Sequence, residues 1–263
     1  MIQAREKPFV GFSFTYQNGD KSIFAVSAYT ATLWGMASFK RNQTIDDFQR
    51  FIAAVYALPD DRLYSVWDLL TQEQRFSMRA LKGVRKGSTE KIRDNLLIAL
   101  SWLMAIANRF HIDVEDEVWL RFPMRCSYCG KLPCACKAIK AMKRARFKRD
   151  DKLRPHSLGA FQKMFNSIYP AEGRMLADAG VHLAEEVGEV SEAIHNFLGQ
   201  HLENQFGEIK SEIADLVSCI FGVANSAGID IAKELEKMYG NNCHVCHKAP
   251  CACKFSQVSK LKT

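Results

Sequence analysis

Two sets of side chains in this 263-residue sequence have the types and spacing to do chemistry. The first is acidic. Glu185, Glu186 and Glu189 fall within HLAEEVGEVS, and Glu212 and Asp215 within SEIADLVS. Glu186 and Glu189 are three apart, as are Glu212 and Asp215, so on helices each pair projects from one face. Packing those faces together would gather four or five carboxylates, which repel unless a cation neutralises them. Hard oxygen donors of this kind suit Mg2+ or Mn2+, ions that also hold phosphate oxygens. A solvated acidic face is the plainer alternative. Against it, Ile213, Ala214, Leu216, Val217, Cys219, Ile220, Phe221 and Val223 leave only Glu212, Asp215 and Ser218 polar. Such a helix is expected to be buried nearly all round, and buried acids need partners.

The second set is cysteine. CSYCGKLPCACK at 126–137 and CHVCHKAPCACK at 243–254 share the spacing C-x2-C-x4-C-x-C. Cys126, Cys129, Cys134 and Cys136 form one cluster, and Cys243, Cys246, Cys251 and Cys253 the other. Four thiolates so close together match the closed tetrahedral shell of structural Zn2+. An iron–sulfur cluster and unmetallated thiols are the alternatives, and His244 or His247 can substitute as ligands in the second cluster. Only Cys219 lies outside the clusters, within an apolar segment, where it reads as a small core residue. Grouped thiols of this kind argue for metal rather than disulfides and for a cytoplasmic protein.

The elements that must position these groups repeat. The clusters are 117 residues apart, and IANRFHIDVEDE (106–117) aligns without gaps to VANSAGIDIAKE (223–234) at the same offset. Further back, FQRFIAAVYALP (48–59) resembles FQKMFNSIYPAE (161–172) at an offset of 113. The cysteine clusters thus end two copies of one helical unit. Expected boundaries are an extension over 1–42, a first copy over 43–137, a basic linker over 138–155, a second copy over 156–254 and a tail over 255–263. The expected fold is mainly α: a duplicated helical bundle with two small metal knuckles. FVGFSFTYQNGDKSIFAVSAYT (9–30) alternates Phe12, Phe14 and Tyr16 with Ser13 and Thr15, and Asn18-Gly19 marks a turn, so a small N-terminal β-hairpin is expected as well.

The acids occur in the second copy only. In the first, Asn95 corresponds to Glu212 and Ile98 to Asp215, and aligning DLLTQEQRFS with HLAEEVGEVS puts Gln72 and Arg75 at Glu186 and Glu189. The first copy is therefore expected to be a silent scaffold. Arg75, Arg79, Lys82 and Arg85 form either a solvated basic face or a source of positive charge for the other copy's site.

Glu-x-x-Glu followed after 22 residues by Glu-x-x-Asp, then the "AN…GID" helix ending at Asn225 and the Lys237-x-x-x-Asn241 spacing, resembles the MazG-type nucleoside triphosphate pyrophosphohydrolases over about residues 155–242. The resemblance implies an all-α, Mg2+-dependent enzyme that cleaves a nucleoside triphosphate to the monophosphate and pyrophosphate. It implies Glu186, Glu189, Glu212 and Asp215 as metal ligands and Glu185 as the group that orients or deprotonates water. It also implies Lys237 and Asn241 on the phosphate chain, with Asn225 nearby, and a working homo-oligomer or intramolecular pseudo-dimer. The cysteine knuckles are not part of that pattern.

The formal charge is +7, and nine Lys or Arg face two Asp in KAIKAMKRARFKRDDKLR (137–154). This is a solvated linker or a contact for nucleic acid, and with the knuckles it keeps a nucleotide- or nucleic-acid-binding regulator as the alternative function. No apolar run approaches the roughly 18–20 residues that cross a bilayer, and MIQAREKPFV lacks the apolar core of a secretory signal.

Overall fold

Polar residues that can cap helices recur at equivalent places in the two copies, and the helices start there. Thr44 and Ser157 each accept a hydrogen bond from the backbone N–H three residues on, at 3.0 and 3.2 Å, as do Asp113 and Asp230, at 2.9 and 3.0 Å. The computed structural model describes residues 37–139, 148–254 and 257. The first copy contributes α1 (Ile45–Leu63), α2 (Val66–Arg85), α3 (Thr89–Arg109), α4 (Val114–Arg121) and the helical turn α5 (Cys136–Ile139) that closes the first knuckle. After a 3-10 turn at Asp151–Leu153 come α6 (Leu158–Ile168), α7 (Leu176–Gln200), α8 (Glu203–Ser226) and α9 (Ile231–Tyr239), followed by the second knuckle.

The described residues contain no β-strand, which corrects the expected fold class. The hairpin expected at 9–30 lies outside the described residues. A lone two-stranded ribbon buries too little to stand by itself, and the described helices offer no sheet edge for it to join.

The two copies share one hydrophobic core rather than building two. α2 packs against α3 and α7 against α8, and α3 and α8 meet at the centre. Short helices cross over: α4 of the first copy lies on α8 of the second, and α9 of the second lies on α3 of the first. The exchange is reciprocal at the knuckles. Cys134 N–H donates to the Ile168 carbonyl at 2.8 Å, and Cys251 N–H to the Val55 carbonyl at 2.7 Å. Within each copy a buried glutamine ties the first helix to the bend after the central helix. Gln49 Nε2 donates to Asn108 Oδ1 at 3.0 Å and to the Ile112 carbonyl at 2.7 Å. Gln162 Nε2 does the same with Asn225 Oδ1 at 2.9 Å and the Ile229 carbonyl at 2.7 Å.

The bend itself needs a left-handed residue. Gly228 supplies it at φ 67° without strain, whereas His111 holds the equivalent place at φ 55°. The C-terminal end of the basic stretch is also anchored. Trp119 Nε1 donates to Asp151 Oδ1 at 2.7 Å, and Arg154 bridges Glu115 and Asp116 at 3.1 and 2.6 Å.

Candidate active site

Helix α8 is set in rotation by its apolar residues. Ile213, Ala214, Leu216, Val217, Ile220, Phe221 and Val223 have essentially no exposed surface. With those faces committed to the core, Glu212 and Asp215 must turn toward α7, where Glu186 meets them. Carboxylate oxygens of Glu186, Glu212 and Asp215 all lie within 4.8 Å of one another. Glu186 Oε2 is buried without a hydrogen-bond partner. Burial, followed by the negative charges of Asp215, Glu189 and Glu212, pushes the Glu186 carboxyl up to about 8 against the pull of Arg121. An orphaned buried oxygen among three hard donors fits a small divalent cation.

The other two acids stand apart from this trio. Glu189 is exposed on α7 and acts on Glu186 through its charge. Glu185 is also exposed and pairs with His182 Nδ1 at 3.0 Å.

A cation not singled out in the sequence completes the cluster. Arg121, at the end of α4 in the first copy, donates from Nε to Asp215 Oδ1 at 3.0 Å and from Nη2 to Oδ2. Lys210 of α8, 3.2 Å from Glu117, pins α4 beside it. The signal that could have found Arg121 is in the repeat: at the offset of 117 its counterpart is Met238. The cation reaches the copy that has acids, and the methionine belongs to the helix lying on the copy that has none.

Glu186 and Asp215 of the trio line a cleft of about 710 Å³, together with Ser218, Cys219 and Gly222. Cys219 is thus a cleft residue and not simply a core one. Its pKa is raised by burial and by the Glu186 charge. The first knuckle, from Cys126 to Lys137, and the stretch from Tyr169 to Arg174 also line the cleft. Arg174 is held there by bonds to the Gly222 carbonyl at 2.9 Å and Ser226 Oγ at 3.2 Å.

The equivalent place in the first copy is an apolar cavity of about 60 Å³. Ile98 stands for Asp215, Trp102 for Cys219 and Ala105 for Gly222. Gln72 and Arg75, aligned to Glu186 and Glu189, bond to each other at 3.0 Å. None of Arg75, Arg79, Lys82 or Arg85 lines the acidic cleft; Arg75 and Arg79 flank the Phe76 ring.

The three residues expected at the phosphates do not line the cleft either. Asn225 is engaged by Gln162, the same structural contact that Asn108 makes with Gln49 in the first copy. Lys237 pairs with Glu234 at 2.6 Å on α9. Asn241 follows α9, which packs on α3 and α6. The crossover of α9 carries Lys237 and Asn241 away from their own copy's acids, and no one-dimensional spacing reports that exchange.

Both cysteine clusters are assembled. Sulfur pairs in the first lie 3.6 and 4.0 Å apart, and in the second 3.8, 3.8 and 3.5 Å apart. Four sulfurs at about 2.3 Å from a tetrahedral metal sit roughly 3.8 Å from one another, much farther than disulfide-bonded sulfurs. Backbone N–H groups of Tyr128, Ala135 and Cys136 point at sulfurs of the first cluster, and those of Val245, Ala252 and Cys253 at the second. The histidines do not displace cysteines. His244 is half-buried with Nδ1 3.3 Å from Tyr56 Oη, and His247 holds the left-handed turn, φ 54°, that Gly130 holds at 68° in the first knuckle.

No curated protein and no solved structure matches this chain. Residues 178–244 match the family model described as the MazG nucleotide pyrophosphohydrolase domain. The match runs through the three clustered carboxylates and ends inside the second knuckle, so residues 178–244 are the part of this chain that is similar to a MazG nucleotide pyrophosphohydrolase domain.

Proposed function

We propose that this protein hydrolyses a nucleoside triphosphate to the monophosphate and pyrophosphate, with Mg2+ or Mn2+ as cofactor. One observation carries the reading: Glu186, Glu212 and Asp215 converge within 4.8 Å beside a cleft large enough for a nucleotide, within the MazG-matching segment.

Glu186, Glu212 and Asp215 hold the ion, and Glu189, one turn along α7, joins them when the site is loaded. The chemistry such an ion supplies when bound is charge neutralisation and a hold on phosphate oxygens. Glu185 orients the attacking water and takes its proton, with His182 fixing the carboxylate. The water oxygen bonds to the α-phosphorus, the bond to the α–β bridging oxygen breaks, and that oxygen leaves with pyrophosphate. Arg174 and Lys137, both lining the cleft, draw the polyphosphate in. Asn225, Lys237 and Asn241 are not assigned to substrate on this reading.

The cysteine clusters each hold one Zn2+ in a closed four-thiolate shell, a structural arrangement that leaves no coordination position for catalysis. Reduced metal-binding thiols suit a protein that works in the cytoplasm. Among the described residues no single helix is long and apolar enough to cross a membrane.

The test is pyrophosphate release from a panel of ribo- and deoxynucleoside triphosphates with Mg2+, native against Asp215→Asn. The native protein should release pyrophosphate and monophosphate in equal amounts, and the variant should lose about 100-fold or more. Equal turnover by the variant, or release of inorganic phosphate instead, would overturn the reading.

A further inference from the structure

The two knuckles have the same sequence spacing and the same reciprocal docking, yet they face different surroundings. The second borders the small apolar cavity of the silent copy, through Cys243, Val245, Cys251 and Cys253. The first forms one wall of the acidic cleft, through Cys126, Ser127, Tyr128, Pro133, Cys134, Cys136 and Lys137. Duplication thus supplies an internal control: one metal-built loop beside a cleft with three clustered carboxylates, its twin beside a cavity with none of them.

The lining residues differ in the same direction. Tyr128 in the first knuckle corresponds to Val245 in the second, so an aromatic ring is present where a ligand can reach it and absent where none can. Tyr128 is 37% exposed, and Lys137 is exposed at the start of α5. The wall is braced from behind. Tyr169 Oη donates to Cys126 Sγ at 3.5 Å, Cys134 N–H is fixed on α6, and Phe122 packs on Phe165 with ring centroids 5.1 Å apart. A nucleotide whose phosphates are held at Glu186 and Asp215 must extend into the rest of the cleft, whose lining includes Lys137 and Tyr128.

We infer that the first knuckle is a zinc-templated substrate wall, in which Tyr128 stacks on the nucleobase and Lys137 meets the phosphate chain, while the second knuckle serves the fold alone. Zinc acts here by holding a short loop rigid, since four thiolates fix a dozen residues that have too little core to fix themselves. The silent copy is then the part of the molecule that recognises substrate through a metal-built surface. This inference rests on the nucleotide reading of the cleft.

The experiment uses matched substitutions that leave all eight cysteines in place. Tyr128→Ala and Lys137→Ala alter the first knuckle, and Val245→Ala and Lys254→Ala alter the same positions of the second. Each protein is assayed for bound zinc, for the Kd of an α,β-methylene nucleoside triphosphate with Mg2+, and for KM and kcat of pyrophosphate release. First-knuckle variants should raise Kd and KM about 10-fold with kcat little changed, and second-knuckle variants should change neither. All four should keep two zinc ions per chain. A second comparison sets Cys129→Ser against Cys246→Ser, each short of one zinc: only the former should weaken analogue binding. If either fails to fold, the surface variants carry the test. Unchanged affinity in the first-knuckle variants, or an equal loss from the second-knuckle variants, would overturn the inference while leaving the enzyme reading intact. A native protein that holds two zinc ions but neither binds the analogue nor releases pyrophosphate would overturn both, starting with the cleft.

Discussion

Single residues distinguish the two copies. The offset of 117 turns Asp215 into Ile98, Glu212 into Asn95 and Arg121 into Met238, so acids and cation are lost together at one cavity and kept together at the other. Arg121 and Asp215 have side chains only 18% and 11% exposed, and removing one partner strands a buried charge. Arg121→Met should therefore cost about 3–5 kcal/mol in metal-free protein, and less when Mg2+ is added. Denaturant unfolding with and without Mg2+ measures both. A second buried acid lies in the silent copy. Glu73 is fully buried on α2, held by Ser77 Oγ at 2.6 Å, and burial lifts its carboxyl from 4.5 to about 7. Its folded form binds the proton more tightly than its unfolded form, so stability falls as pH rises from about 4.5 to 7 and is level above that. Glu73→Gln removes that loss. It should gain about 3 kcal/mol at pH 8 and close to nothing at pH 4, read from urea melts.

At the scale of elements, the crossover of α4 and α9 is what makes one site from two copies. The buried glutamines hold the bends from which those helices depart. Gln162→Ala would leave the Ile229 carbonyl, the Ile231 N–H and Asn225 without their partner. A loss of about 2–3 kcal/mol is expected, and a similar loss from Gln49→Ala, whose contacts are the same. Only the Gln162 change lies beside the acid-bearing helix, so it should also weaken Mg2+-dependent activity. Thermal melts paired with pyrophosphate assays separate the two effects.

At the largest scale, the described residues pack the two copies into one body. Its core is continuous across both copies, and each copy's knuckle is seated on the other copy's first helix. Fragments 43–137 and 156–254 made separately should each fail to fold, because α4 and α9 would lose the faces they cover. Circular dichroism and cooperative melting check this. The intact chain should bind one Mg2+-dependent nucleotide and two zinc ions, a 1:2 ratio readable by calorimetry and metal analysis. Two nucleotides per chain would mean that the apolar cavity of the first copy is a working site after all.

Much of this was legible in one dimension. The duplication, the eight metal-spaced cysteines and the acid-bearing apolar helix are local patterns, and a local pattern survives folding because its residues remain neighbours along the helix or loop. The convergence of Glu186 with Glu212 and Asp215 was also readable, since α8 is apolar on every other face and has one way to turn. The sequence alone could not say what comes from the other copy. Arg121 arrives 94 residues from Asp215, and Tyr128 and Lys137 reach the cleft from the first knuckle. The family resemblance implies Lys237 and Asn241 on the phosphate chain with Asn225 nearby, yet a glutamine contact engages Asn225 and none of the three lines the cleft. Sequence determined what each helix must bury and which loops can hold metal, because those follow from side-chain type and period. Only the tertiary structure decided which copy's helix covers which site, because exchange between two equivalent halves leaves every local pattern unchanged.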